Sequence, residues 1–186
     1  MCQYTLIKSK RKTISISVKE DLSVIVRAPL WISTREIERI LAEKQEWINK
    51  KIAIIKRNNE RINSGEVRRL TTEDIKNLAN DALEYIPKRV EYFASIMNVT
   101  YGRITIRNQK TRWGSCSSKG NLNFNCLLMM APIEVIDYVI VHELCHRKEM
   151  NHSKAFWFEV SKIIPNYKEY ENWLKKEGHI LIACVK

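Results

Sequence analysis

Over the first thirty residues apolar and polar positions alternate, and then the spacing lengthens to that of a helix. Gln3 to Lys8, Thr13 to Lys19 (Ile14, Ile16 and Val18 on one side) and Leu22 to Ala28 (Leu22, Val24 and Val26 on one side) predict three strands in an antiparallel β-meander. Pro29 ends the last of them. Ser33 or Thr34 caps a helix with Glu36 in its first turn, and Ile37, Ile40, Leu41, Trp47, Ile48, Ile52 and Ile55 carry its stripe to about Asn58. The stretch Asn58 to Gly65, N-N-E-R-I-N-S-G, breaks the pattern and reads as a linker.

After the linker, Thr72 is placed to cap a helix that keeps its period to Met97 across Pro87, where a kink is expected. Arg103 to Arg107 alternates again. T-R-W-G-S-C-S-S-K-G-N-L-N-F-N-C-L-L, from Thr111, predicts a hairpin turning at Ser118 to Asn121, with Leu122, Phe124 and Cys126 on one side. Ala131 to His152 opens with Pro132 and places Ile133, Val135, Ile136, Val139, Ile140 and Leu144 on a broad stripe, so it reads as a buried helix. Ser153 caps a helix with Phe156, Trp157, Val160, Ile163 and Ile164, ended by Pro165. A last helix with Tyr167, Tyr170, Trp173 and Leu174 closes at Gly178. The chain is therefore expected to be α+β, with long helices and two parts: 1–64, a β-meander plus helix, and 65–186, which carries the chemistry.

That chemistry lies on the buried helix. His142 and His146 are four residues apart and project from one face, while Glu143 lies about 100° round the axis. This is H-E-x-x-H. His152, six residues past His146, can complete three histidine ligands and leave one tetrahedral position open for water, the arrangement of a catalytic zinc site. Three of the four histidines fall within eleven residues at this spacing. Cys145 points about 60° away from His142 and about 100° from His146, so it is expected to pack as a small apolar residue and leave the site open. Glu143 then takes the water's proton and passes it to the leaving group. The strand immediately before this helix is the expected substrate-binding edge, and Arg112, Trp113, Gly114 and Ser115 are its candidate binding residues. Arg112, His179 or a tyrosine could stabilise an oxyanion, although the position of His179 also suits a helix C-cap or the surface.

Bulk properties limit the setting. The sequence has no apolar run near twenty residues and turns polar at once after M-C-Q-Y-T-L-I, so a cytoplasmic protein is expected, with no membrane partner. Cys2, Cys116, Cys126, Cys145 and Cys184 have no regular spacing and read as reduced thiols. The net charge of +11 is uneven: residues 1–70 carry 16 Lys and Arg against 8 Asp and Glu, and no carboxylate occurs between Glu91 and Glu134. Arg103, Arg107, Lys110, Arg112 and Lys119 lie in that gap. A basic surface beside a metal site accommodates an anionic substrate, a nucleotide or nucleic acid; equally, it keeps a protein soluble.

The run T-R-W-G-S-C-S-S-K-G-N-L-N-F-N, followed by P-I-E-V-I-D-Y-V-I-V-H-E-L-C-H and N-H-S-K-A-F-W, resembles the YgjP-like metallopeptidase family, metal-dependent hydrolases related to SprT and WLM proteases. Arg27-Ala28-Pro29 and Tyr85-Ile86-Pro87 fit as well. The resemblance implies a zincin-like α+β fold, one zinc ion held by His142, His146 and His152, Glu143 as catalytic acid and base, and peptide hydrolysis. The ligand spacing equals that of metzincins, but Glu149 stands where their turn glycine belongs and no Met-turn follows. Three readings stay open: a zinc metallopeptidase acting on peptide or protein, a zinc-dependent hydrolase of phosphoanhydrides such as nucleotides, and a nucleic-acid-binding module with a structural metal.

Overall fold

The computed structural model describes residues 3–185, which form two compact units divided between Arg68 and Arg69. Cys2, read above as a reduced thiol, lies outside the described residues.

In the first unit, strands β1 (Tyr4–Ser9), β2 (Ser15–Val18) and β3 (Val24–Pro29) form one sheet. Its order is β1-β3-β2, with β1 parallel and β2 antiparallel to β3, so it is not the meander expected from the sequence. The reason is burial. β3 is the most apolar strand, with Val24, Val26 and Ala28 buried, and the central place pairs both its edges. Leu22 is not in a strand either: it turns the β2–β3 hairpin at φ 68°, beside Asp21, whose carboxylate accepts from the Ser23 N–H. Helix α1 (Thr34–Glu43) starts at Ser33, whose side chain accepts from the Glu36 N–H. The single helix expected here breaks at Lys44 (φ −97°, ψ 4°) and resumes as α2 (Gln45–Asn63). A one-residue break barely shifts the helical phase, so the stripe passes through it unmarked. The expected linker is mostly helix as well. Asn58 is buried, Asn59 donates to the Glu20 carbonyl, and the helix stops only before Gly65 at φ +77°.

In the second unit α3 (Thr72–Met97) is capped one residue earlier than expected, by a reciprocal pair between Thr71 and Asp74, and runs unbroken past Pro87 to a left-handed Asn98. Strands β4 (Ile104–Arg107), β5 (Gly114–Cys116) and β6 (Leu122–Asn125) make a second sheet, order β4-β6-β5, with β4 parallel and β5 antiparallel to β6. The hairpin turns as predicted, with Gly120 at φ +80°. A 3-10 turn (Cys126–Met130) leads into α4 (Ile133–Cys145), followed by α5 (Lys154–Ile163), α6 (Tyr167–Lys176) and α7 (Gly178–Ala183). Gly178 thus begins a helix where the sequence reading ended one, and glycine is required there by the Trp113 indole, since a Cβ would lie 2.9 Å from Cζ2. Phe124, Phe156, Ile86, Leu127, Leu128, Ile140 and Leu144 are fully buried around α4. On α3, Arg89 grips both oxygens of Asp137 on α4, at 2.9 and 2.6 Å.

Candidate metal centre

α4 is buried on nearly every side, and only its C-terminal end opens on a cleft. His142 sits one turn before that end and His146 forms the C-cap. A tight turn, with the Glu149 N–H on the Cys145 carbonyl, then swings the chain back to His152. Ser153 caps α5 by accepting from the Phe156 N–H, which fixes His152 just outside the helix, and its ring stacks on Trp157 at 5.8 Å. The three imidazoles come together: one ring nitrogen from each lies within 4.8 Å of the others. The Nε2 atoms of His142 and His152 are 2.9 Å apart.

Electrostatics decides what such a cluster can hold. Burial, followed by the neighbouring His146 and His152, lowers the His142 pKa to about 3, so its ring is neutral and its lone pair free. Burial lowers His146 too, against the Glu149 carbonyl that its Nδ1 meets at 3.1 Å. That contact places the proton on Nδ1 and leaves Nε2 as a donor to a metal. Two basic nitrogens at 2.9 Å repel unless a proton or a cation lies between them. The donor set of three imidazoles with one side open therefore fits a divalent ion of the zinc type. Cys145 is fully buried, its thiol pushed by burial up to about 12, and it takes no part in the cluster.

Glu143 is 5% exposed, and burial, opposed only by Arg112, raises its pKa to about 8. Its carboxylate lies against Gly114: a Cβ there would be 2.7 Å from both Cγ and Oε1. Gly114 admits this side chain.

A cleft of about 290 Å³ joins Arg112, Gly114, Ser115 and Cys116 to the three histidines, Glu143 and Met150. Three of the four candidate binding residues are brought to it. Trp113 packs the other way, on Gly178. The strand immediately before α4, β6, is central and paired on both sides, with Leu122 and Phe124 buried, so it is not the edge that had been expected; β4 and β5 are the edge strands, and β5 lines the cleft. His179, in α7, does not line it.

The sequence reading places Phe156 only on the stripe of its helix. It is core, but its ring is also 4.9, 4.7 and 4.6 Å from the rings of His142, His146 and His152, a common floor for all three. Its place four residues after His152, on a Ser-capped helix, was the available signal. Asn125, wholly buried, holds the approach to β5 by donating to the carbonyls of Gln109 and Arg112 at 2.7 and 3.0 Å.

The profile of the YgjP-like metallopeptidase domain family matches residues 12–76 and 69–177. The chain belongs to that family. This YgjP-like domain is accordingly a metal-dependent hydrolase with peptide or protein substrates. Among solved structures it is similar to the metallopeptidase zymogen abylysin of Pyrococcus abyssi, at 25% identity over 50% of this chain and 95% of that one, TM-score 0.46. It is also similar to the zymogen jannalysin of Methanocaldococcus jannaschii, at 24% identity over the same shares, TM-score 0.45. No curated protein matches it. Among the described residues no helix is long and apolar enough to cross a membrane.

Proposed function

We propose that this YgjP-like domain is a zinc metallopeptidase in which His142, His146 and His152 hold one ion and Glu143 is the general acid and base. The observation that carries the reading is the convergence of three ring nitrogens within 4.8 Å beside a carboxylate wedged on Gly114. Bound there, zinc supplies Lewis acidity, which acidifies water and polarises a scissile carbonyl. His142 stays neutral at every physiological pH and so remains a ligand. His146 is oriented by the Glu149 carbonyl, and Phe156 keeps the three rings facing one point. Glu143 would accept the attacking water's proton on the carboxylate that faces Gly114 and return it to the departing amine nitrogen. A cation held by the three rings would draw the Glu143 pKa back down and ready it as a base. The edge strand β5 offers its backbone to an extended peptide.

Elemental analysis and turnover of casein test this. We expect one zinc per chain, lost in His142→Ala, and a fall in turnover of ~10²–10⁴-fold in Glu143→Gln with zinc retained. Metal-free protein, or unchanged turnover in Glu143→Gln, would overturn the reading. Glu143-dependent turnover of nucleotides in place of casein would transfer it to phosphoanhydrides. Salt-sensitive DNA binding without either turnover would leave a binding module.

A further inference from the structure

Among the described residues the cleft holds one cation whose charge is felt by Glu143 but which no carboxylate contacts. Arg112 is exposed at its rim, and among the described residues its side chain makes no hydrogen bond or ion pair. Its backbone is nevertheless fixed, since the buried Asn125 amide donates to its carbonyl and to that of Gln109. The other lining residues beside the histidines and Glu143 are neutral: Gly114, Ser115, Cys116 and Met150. Among the described residues the only carboxylate lining the cleft is Glu143, which is 5% exposed and packed on Gly114. No acidic residue between Glu91 and Glu134 competes for the guanidinium from its own segment. A planar fork of donors, anchored at its root and free at its tip, matches a carboxylate in two-point contact.

We propose that Arg112 is the specificity-determining residue of this cleft, binding a carboxylate of the peptide substrate, either an Asp or Glu side chain beside the scissile bond or the free C-terminus. The inference rests on the peptidase reading above. An apolar residue gains nothing at this position, and a Lys or Arg is repelled. Discrimination therefore comes from both an attraction and a repulsion.

The test uses the full, zinc-loaded chain and fluorescence-quenched peptides that differ only in Asp, Asn or Lys on either side of the cleaved bond, each with a free or amidated C-terminus. We expect kcat/KM about 10-fold higher for Asp than for Asn, a preference lost in Arg112→Gln and turned toward Lys in Arg112→Glu. A preference that follows the free C-terminus whatever the flanking residue assigns the carboxylate to the chain end. Equal losses on Asp, Asn and Lys peptides in Arg112→Gln would overturn the proposal, because they would mark a role independent of substrate charge. Fluorescence anisotropy of the same peptides on Glu143→Gln, with and without Arg112→Gln, separates recognition from turnover. Tighter binding of Asp peptides that disappears with Arg112 supports the inference even if wild type cleaves nothing, which would sink the peptidase reading alone. Equal binding of all peptides sinks the inference alone.

Discussion

The two sheets of this protein are built the same way and do different work. In each, the first strand runs parallel to the third, the second folds back antiparallel to it, and the third is central: β1-β3-β2 and β4-β6-β5. Tyr4↔Val24 through Ser9↔Pro29 in one corresponds to Ile104↔Leu122 through Arg107↔Asn125 in the other. What differs is the helix that follows. In α1 only Ile37 and Leu41 are buried, and Glu36 and Arg39 pair in solvent. In α4 nine residues are buried, Glu143 among them. The strand arrangement therefore does not make the site. A water-poor setting for the helix does, because it keeps His142 neutral and raises Glu143.

The comparison can be broken most forcefully at Phe156. Replacing it with Ala should cost about 3–5 kcal/mol in denaturant unfolding. It should also weaken zinc by roughly 10–100-fold in chelator competition, the usual effect of losing support behind metal ligands. If affinity is unchanged, the three rings do not depend on their common floor. Next come Leu144→Ala on α4 and Ile37→Ala on α1, both fully buried. Each should lose about 2–5 kcal/mol, but only Leu144→Ala should also loosen zinc; equal zinc affinities would erase the distinction drawn between the helices. Gly114→Ala places a Cβ 2.7 Å from the Glu143 carboxylate, so, on the role proposed for Glu143, turnover should fall about 10-fold with zinc kept, the effect of displacing a reacting group by a fraction of an ångström.

The smallest effect is on pH. Glu143, raised from 4.5 to about 8, stabilises the metal-free fold fully below pH 4.5 and loses that contribution as pH rises through 8. His142, lowered from 6.5 to about 3, acts oppositely, since stability is lost as pH falls from 6.5 toward 3. Melting of metal-free protein should therefore decline as pH rises from 6.5 toward 8 and, on the acid side, where the lowered His146 adds to His142, as pH falls toward 3; Glu143→Gln should remove the alkaline decline. A decline that survives the substitution would locate it in another group.

The histidine triad was legible because its information is local: residues 142, 146 and 152 lie on one helix end and the turn after it. Strand existence was legible from alternation for the same reason. Strand order was not, since alternation tells which face a residue takes and nothing about its neighbour; the parallel pairing of β1 with β3 is written only in the greater burial of Val24 and Val26. The break at Lys44 left no gap in the stripe. Asn125 and Phe156 were visible as residue types but not as parts of the site, and Gly114 was legible as a binding residue but not as the seat of Glu143, because each acts on groups far from it in the chain or in a different element.

Cys116 lines the cleft and is half-buried, whereas Cys126, Cys145 and Cys184 are buried. Burial, then the nearby Glu143 charge, raises its pKa, so its thiol alkylates slowly near neutrality and faster as the solution is made alkaline. With Cys2 replaced by Ser, a maleimide dye would mark this one wall and report, by its emission, when a peptide enters or leaves. The fold thus carries its own attachment point for watching occupancy in real time.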